Sequence, residues 1–399
     1  MRVFVPSETQ PGERRAAIST DVIGKLKKLG LDVSVQSGAT ASTFTSDADL
    51  VAAGADIVAE SDVQAALGSA DVVASVRPLN GTAASSLKPG AVAMSFLQPQ
   101  TDTELINAVA ERGASAISFD LIPRISRAQS MDALTSQALV TGYRAGLVAA
   151  DRLPRFFPLF MTAAGTIPPA KVLVLGAGVA GLQAIATAKR LGAKVSAYDV
   201  RPASADEVKS MGGTFVTLDL DAVEGSGGYA REMSQDRAKR QQELLTPYIA
   251  DSDAVITTAA VPGRKAPLLV TEEMVRTMRP GSVVVDLASE SGGNVEGSVA
   301  GEEVDIAGVT VWGGRDVASE MPVHASQLYA MNIAAVMGLL TEDGEVTLDV
   351  ADEIVAGAAV VLNGEVRNAM AREALGLAPL VEPAATDSAE AAQNSEGTS

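Results

Sequence analysis

The chain has 399 residues, of which 47% are hydrophobic, enough for two cores of ordinary domain size. It carries 31 basic and 49 acidic side chains, and the net charge of −18 argues against nucleic acid and anionic membranes as direct partners. It has no cysteine and one histidine, so disulfides, thiolate metal sites, a cysteine nucleophile and a histidine-rich metal site are excluded. The N-terminus does not resemble a signal peptide, and no apolar run approaches the ~20 residues that span a bilayer. We therefore expect a cytoplasmic protein.

The first third of the chain alternates short apolar runs with amphipathic segments, as a doubly wound α/β domain does. Helices are predicted over residues 21–29 and 102–111. The predicted strands are residues 3–5, 32–35, 72–76, 92–96 and 116–119. A longer helical pattern runs from residue 133 to about residue 155, where Pro154 and Pro158 end it. It suits a connector to a second domain.

A dinucleotide-binding fingerprint opens that second domain. The apolar run 172–175 predicts a buried strand, a helix is predicted over 182–191, and a second apolar run ends at Asp199. Three glycines stand between strand and helix in GxGxxG spacing: Gly176, Gly178 and Gly181. A lone GxGxxG is weak evidence, but a complete strand–turn–helix–strand–acid unit is specific.

The chemistry of this unit favours NAD(H) over NADP(H). The first glycine allows a tight turn, the second lets backbone approach a pyrophosphate, and the third lets helix and strand pack closely. The helix N-terminus then points at the phosphates. Asp199 would accept hydrogen bonds from the adenosine ribose, and its charge would repel a 2′-phosphate. The alternative is a Gly-rich turn in an ordinary α/β domain.

The rest of the chain predicts further strands and a return to the first domain. A helical pattern covers residues 325–340, and segments 346–348 and 359–362 would complete the first domain. The later strands of the second domain are predicted over 215–218, 254–257, 282–286 and 309–312.

The predicted fold class is α/β, with two doubly wound parallel-sheet domains, the second a Rossmann dinucleotide-binding domain inserted into the first. The predicted N-terminal domain is discontinuous, comprising residues 1–135 and 327–380. The Rossmann domain is predicted over residues 136–326. The Ala/Ser/Glu/Thr-rich segment 382–399 is predicted to be a disordered tail.

Several segments together resemble the family that joins alanine dehydrogenase with the NAD(H)-binding domain of proton-translocating NAD(P) transhydrogenase. Residues 6–17 resemble its N-terminal signature, and residues 176–181 its nucleotide-binding turn. Three stretches favour the transhydrogenase branch: residues 124–132 are similar to its nicotinamide-side loop, 228–233 to its mobile loop and 199–201 to its ribose contact.

The resemblance implies hydride transfer from NADH on this chain to NADP⁺ on a partner subunit, coupled to proton movement across the membrane. It implies NAD(H) as the cofactor here and NADP(H) on the partner. It also implies a homodimer held at the cytoplasmic face of the inner membrane by membrane-embedded subunits, the second portion of the alpha subunit and the NADP(H)-binding beta subunit. Because the sequence shows no membrane helix, a separate soluble alpha subunit is expected. No metal and no nucleic acid are expected.

The resemblance also implies the site residues. Arg124, Gln129 and Asp132 are expected to lie over the nicotinamide and its ribose, and to be the catalytic residues through positioning. The amide of Gln129 can bond the carboxamide, and Arg124 can pair with the pyrophosphate or with Asp132. The cofactor-binding residues are these three with Ser130, Met131, Ala133, Thr135, Gly176, Gly178, Val179, Ala180, Gly181, Asp199, Val200, Arg201, Gly228, Tyr229 and Met233.

Two other functions remain open, an amino-acid dehydrogenase like alanine dehydrogenase and a non-catalytic NAD-binding module. The dehydrogenase needs a general base. In alanine dehydrogenases a histidine follows a Tyr-Leu pair at the end of a strand, and Gln98, which cannot take a proton, stands there in this chain. Arg77 stands near the place where those enzymes have a lysine. The loop 124–132 argues against the module, because a sensor needs no exposed nicotinamide face.

Overall fold

The computed structural model describes residues 1–220, 235–260 and 264–380. The strands are Arg2–Val5 (β1), Asp32–Gln36 (β2), Asp56–Val58 (β3), Val72–Ala74 (β4), Val92–Ser95 (β5), Ser115–Ser118 (β6), Phe160–Thr162 (β7), Gly165–Ile167 (β8), Lys171–Leu175 (β9), Lys194–Tyr198 (β10), Thr214–Phe215 (β11), Ala254–Thr257 (β12), Val283–Asp286 (β13), Glu303–Ile306 (β14), Val309–Gly313 (β15), Thr341–Glu342 (β16), Glu345–Val346 (β17), Ala359–Leu362 (β18) and Glu365–Val366 (β19).

The α-helices connect these strands and cover the sheets. They are Thr20–Lys28 (α1), Asp47–Ala53 (α2), Val63–Ser69 (α3), Gly81–Ser85 (α4), Thr103–Glu111 (α5), Ala133–Arg152 (α6), Val179–Arg190 (α7), Ser204–Ser210 (α8), Gln235–Ala250 (α9), Glu272–Arg276 (α10), Pro322–Leu340 (α11), Glu353–Ala358 (α12) and Ala369–Ala374 (α13).

The first sheet has eight strands in the order β19-β18-β6-β5-β4-β1-β2-β3. Neighbours from β6 to β3 are parallel, whereas β18 and β19 form an antiparallel edge. Side chains alternate between its two faces: Val3 and Val5 lie in one buried cluster and Phe4 in the other. The chain runs from β1 to β3 on one side and then crosses to β4, so the topological switch point lies between β1 and β4.

The second sheet has seven strands in the order β11-β10-β9-β12-β13-β15-β14. It is parallel apart from β14, which runs antiparallel to β15 at the edge. Val172 and Val174 of β9 enter one buried cluster, and Leu173 and Leu175 enter the other. Both faces of the central strands are therefore covered, as parallel sheets require. The switch point lies between β9 and β12.

Helix α6 links the sheets and packs against α7 through small residues. A Cβ atom at Gly142 would lie 2.1 Å from the carbonyl oxygen of Ala180. A Cβ atom at Gly146 would lie 2.8 Å from Cγ2 of Thr187. The two helices can approach this closely only because these positions lack side chains.

Helix α11 returns the chain to the first sheet. By length and composition it could span a bilayer, contrary to the expectation that no segment is long and apolar enough, and half of it is buried inside the protein. Tyr329 on this helix is fully buried and donates a hydrogen bond to the carbonyl oxygen of Ser75 at 2.8 Å. Its buried side chains belong to the first core, so α11 is a core helix.

The fold class is confirmed, and several predicted elements need correction. Helix α7 begins at Val179 rather than at residue 182, because the glycine turn ends at Gly178, which is its N-cap. The predicted strand 215–218 shortens to β11, which pairs with β10 over two residues at the sheet edge. Segment 346–348 does not complete the first sheet. The positive φ angles at Asp343 and Gly344 close a separate hairpin, β16–β17.

Two further points concern boundaries and omissions. The hairpin β7–β8 was not predicted, and each of its strand residues is exposed. The predicted domain boundaries at 135/136 and 326/327 fall inside α6 and α11, the helices that join the sheets, and they stay predictions. The predicted tail 382–399 lies outside the described residues.

Candidate functional site

A cavity of about 500 Å³ opens at the carboxyl edge of the second sheet, at the switch point between β9 and β12. Open α/β sheets bind ligands at this place. Its walls are the turn after β9, the ends of β10 and β12, one side of α6, and Arg124. Nine predicted cofactor residues line it: Arg124, Thr135, Gly176, Gly178, Val179, Ala180, Asp199, Val200 and Arg201.

The glycine turn shows why each glycine is needed. Gly176 has φ +102°, a conformation that favours glycine. A Cβ atom at Gly181 would lie 1.9 Å from the carbonyl oxygen of Gly176, so only glycine lets α7 start this close to β9. At Gly178 no atom lies within 4 Å of the Cβ position. The turn therefore leaves open space beside the N-terminus of α7, where an anion is stabilised.

Asp199 follows β10 and is already engaged within the protein. Its Oδ2 accepts a hydrogen bond from the amide of Ala177 at 2.7 Å, and its Oδ1 accepts from Nε of Arg201 at 3.0 Å. This hydrogen bond raises the pKa of the Arg201 guanidinium above its usual value. The side chain of Asp199 is 8% exposed. Asp199 thus anchors the glycine turn at the place where a ribose contact was predicted.

The end of β12 forms a wall that the sequence did not reveal. Thr258 donates a hydrogen bond from Oγ1 to the carbonyl oxygen of Gly176 at 3.1 Å, and Ala259 and Ala260 extend the wall. These residues directly follow the predicted strand 254–257. Because neighbouring parallel strands end at the same sheet edge, that position was a usable signal. Burial, followed by the charge of Asp199, raises the pKa of Tyr198 to about 12, so this lining phenol stays protonated.

The predicted nicotinamide-side loop contributes less to the cavity wall than expected. Ser126–Met131 is a 3₁₀ turn between β6 and α6. Gln129 and Ser130 are exposed, and Met131 and Ala133 are buried. None of these four lines the cavity, and neither does Asp132 or Gly181.

Two side chains fix this loop. Asp132 caps α6 by accepting hydrogen bonds from the amide and the hydroxyl of Thr135 at 2.9 and 2.6 Å. Asn332 on α11 donates to the carbonyl oxygen of Ser130 at 2.9 Å. The nicotinamide-side roles of Arg124, Gln129 and Asp132 stay predictions. Gly228, Tyr229 and Met233 lie outside the described residues.

The switch point of the first sheet is occupied by the chain's own charged groups. Glu13 pairs with Arg15 at 2.6 Å and with Arg77 at 2.7 Å, and Arg77 also pairs with Asp316. Burial by itself would raise the pKa of Glu13, but the hydrogen bond and charge of Arg15 lower it to about 2. Burial raises the pKa of nearby Glu8 to about 7.

Gln98, the residue at the predicted position of a general base, lies away from the cavity. It is exposed, and its Oε1 accepts a hydrogen bond from the hydroxyl of Thr101 at 3.3 Å. Within the described ranges, no group of three histidine, aspartate or glutamate side chains is arranged to hold a metal ion.

Two family models match the chain: "Alanine dehydrogenase/PNT, N-terminal domain" over residues 4–141 and "Alanine dehydrogenase/PNT, C-terminal domain" over residues 145–369. The chain belongs to the alanine dehydrogenase/PNT family. The predicted family is thereby confirmed.

Within this family the chain resembles transhydrogenase subunits. It is 45% identical over 376 residues to the first portion of a divided NAD(P) transhydrogenase subunit alpha of Rhodospirillum rubrum, a match that covers 92% of this chain and 97% of the relative. It is 41% identical over 372 residues to NAD(P) transhydrogenase subunit alpha of Cereibacter sphaeroides, covering 92% and 71%.

Solved structures agree with this relationship. A transhydrogenase from Sinorhizobium meliloti superposes with a TM-score of 0.80 at 41% identity, covering 92% of this chain and 99% of that one. An L-alanine dehydrogenase superposes with a TM-score of 0.77 at 22% identity, covering 94% and 99%, which shows the shared fold.

Proposed function

We propose that this chain is the NAD(H)-binding component of a proton-translocating NAD(P) transhydrogenase, active together with partner subunits. The observation that carries the proposal is the cavity at the β9/β12 switch point, where the glycine turn, the N-terminus of α7 and Asp199 stand together. The similarity to transhydrogenase alpha subunits supports this activity over others in the family.

The lining residues fit NAD(H). The open space beside Gly178 and the N-terminus of α7 suit a pyrophosphate. The carboxylate of Asp199 disfavours a 2′-phosphate at the adenosine end. When bound, the reduced nicotinamide supplies the hydride. The tasks of the chain are then to bind, to orient through Arg124 and Gln129, and to exclude water, since transfer between two nicotinamides needs no general base.

Amino-acid dehydrogenation is disfavoured by the same geometry. Such a reaction needs a proton acceptor near the reacting carbon. Gln98 has no basic group and is exposed outside the cavity wall. Arg77, near the place of the lysine in alanine dehydrogenases, is engaged by Glu13 and Asp316.

We further propose that the chain forms a homodimer at the cytoplasmic face of a membrane, bound to membrane-embedded subunits that carry NADP(H). Two relatives are named as the first portion of a subunit alpha, which supports the existence of further portions. The hairpin β7–β8 supports self-association, because Phe160, Met161 and Ile167 are 42%, 76% and 43% exposed. A cluster of exposed apolar side chains of this kind marks an interaction surface.

Equilibrium dialysis of the full chain with NADH and with NADPH tests the cofactor assignment. We expect NADH to bind and NADPH to bind at least about tenfold more weakly, since a phosphate beside a carboxylate is repelled. Comparable affinities would contradict the role of Asp199.

Reconstitution tests the activity. The chain alone should show no alanine-dependent reduction of NAD⁺, and NADH-dependent reduction of NADP⁺ should appear only when the partner subunits are added. Alanine turnover by the pure protein would overturn the proposal.

A further inference from the structure

The turn after β13 is built around a buried carboxylate. Asp286 is fully buried, and its Oδ1 accepts a hydrogen bond from the hydroxyl of Thr257 at 3.0 Å. The same carboxylate accepts from the backbone amides of Ala288 and Asn294, at 3.0 and 3.1 Å. Asp286 therefore fixes the backbone that carries Asn294 to the end of β12.

The side chain of Asn294 uses its donors and its acceptor on backbone groups of the cavity wall. It is fully buried, and its Oδ1 accepts a hydrogen bond from the amide of Ala259 at 3.0 Å. Its Nδ2 donates to the carbonyl oxygens of Ala259 and Pro267, both at 2.8 Å. Ala259 and Pro267 both line the cavity, whereas Asn294 does not. A carboxamide can accept and donate at once, which neither a carboxylate nor an aliphatic side chain of this size can do.

The contact continues from Ala259 to the glycine turn. Thr258, the preceding residue, donates to the carbonyl oxygen of Gly176 at 3.1 Å. Its hydroxyl oxygen lies 2.6 Å from the position of a Cβ atom at Gly176, so the two segments are in close contact. A shift of Ala259 would therefore move Thr258 and loosen the turn that faces the phosphates.

We propose that Asn294 is a positioning residue for the nucleotide site, holding Ala259 and Pro267 so that the β12 wall stays against the glycine turn. This inference rests on the proposed binding of NAD(H) in the cavity. Asn294 acts through the backbone of lining residues.

The test compares Asn294→Ala and Asn294→Asp with Asn368→Ala. Asn368 makes a matched control because its side chain accepts a hydrogen bond from the amide of Ala371 at the start of α13, in the first domain. NADH dissociation constants are measured by equilibrium dialysis well below each thermal midpoint, so that every variant is folded. We expect about a tenfold increase for both Asn294 variants and less than about a twofold change for the control.

Two readouts separate positioning from loss of stability. Hydrogen exchange of residues 254–260, measured without nucleotide, should accelerate in Asn294→Ala and stay unchanged in Asn368→Ala. In the wild-type chain the amide of Ala259 should be protected, which can be measured even if neither Asn294 variant folds. The aspartate variant keeps the size of the side chain and one acceptor, but its carboxylate would face two carbonyl oxygens.

The outcomes are distinct. If the wild-type chain does not bind NADH, the proposed function fails. If the wild-type chain binds NADH, an unchanged NADH affinity in Asn294→Ala overturns the positioning role alone. If Asn294→Ala does not fold, an unchanged affinity in Asn294→Asp does the same. An unprotected Ala259 amide in the wild-type chain would also overturn it.

Discussion

The two parallel sheets have the same kind of switch point at their carboxyl edges and fill it in opposite ways. At β9/β12 the edge presents glycine backbone and a helix N-terminus to a cavity of about 500 Å³. At β1/β4 Glu13, Arg15 and Arg77 saturate one another in a buried cluster. The same topology therefore gives an open ligand site only where the local sequence leaves backbone donors facing space.

The glycine turn should show the largest effect on binding. Gly181→Ala should weaken NADH binding by about a hundredfold or more, because its Cβ atom would clash with the carbonyl oxygen of Gly176 and open the turn. Gly178→Ala meets no atom, so it should keep the thermal midpoint of the wild type and weaken NADH binding less. Dialysis and thermal unfolding of both variants check this. A Gly181→Ala variant with wild-type affinity would contradict the open-edge interpretation.

The closed edge should respond in stability instead of binding. Glu13→Gln leaves Arg15 and Arg77 without their shared carboxylate, and breaking such a buried pair should lower the free energy of unfolding by about 3 kcal/mol at pH 7. NADH affinity of the folded variant should change by less than about twofold. Glu365→Gln is the control, because its pair with Arg367 is exposed and worth less than about 1 kcal/mol.

The same variant has a pH signature. The pKa of Glu13 is lowered to about 2 in the folded protein from 4.5, so its stabilisation is present above pH 4.5 and is lost as the pH falls towards 2. Urea unfolding between pH 5 and pH 3 should therefore show a shallower loss of stability for Glu13→Gln than for the wild type. Equal slopes would mean that Glu13 does not hold this cluster.

Asp199 should have an intermediate effect on binding. Asp199→Ala removes the acceptor for the amide of Ala177 and the partner of Arg201, and should weaken NADH binding about tenfold. Asp199→Asn should narrow the preference for NADH over NADPH, because Arg201 would then face a 2′-phosphate without the opposing charge. Dialysis with both nucleotides measures each effect, and an unchanged preference would place the discrimination elsewhere.

Gln129 should show the smallest effect, confined to the rate. Gln129→Asn keeps the amide and shortens its reach by one methylene, so hydride transfer in the reconstituted complex should slow several-fold, to about tenfold, through ring misplacement. The dissociation constant of NADH should stay within about twofold, because the binding contacts lie along the glycine turn and Asp199. Stopped-flow rates at saturating nucleotide decide the question. An unchanged rate would show that the loop does not position the ring.

The sequence predicted features that local spacing specifies. The glycine turn and Asp199 were found because strand, turn, helix and acid follow one another within one βαβ unit. Thr258 and Ala259 were missed because the strand order brings β12 beside β9, and a single sequence does not give strand order. Asn294 carried no signal, since its hydrogen-bond partners are backbone groups 27 and 35 positions away.

The remaining differences have the same origin. Arg15 and Arg77 could be recognised as charged residues, but their shared partner Glu13 depends on the pairing of β1 with β4. Met131 and Ala133, predicted as cofactor contacts from the resemblance, are buried in the first core. Sequence similarity identifies the loop as a unit, whereas packing decides which of its side chains point outward.

The two glycines of α6 carry a consequence for variation in this protein. Gly142 and Gly146 set the distance between α6 and α7, and a larger residue at either would push α7 away from its neighbour. One end of α6 starts at the loop capped by Asp132, and α7 starts at the glycine turn. The helix pair is thus a strut between loop and turn. A mutagenesis library selected for nucleotide binding should therefore return as few substitutions at these two positions as at the nucleotide-binding glycines, although neither residue lines the cavity.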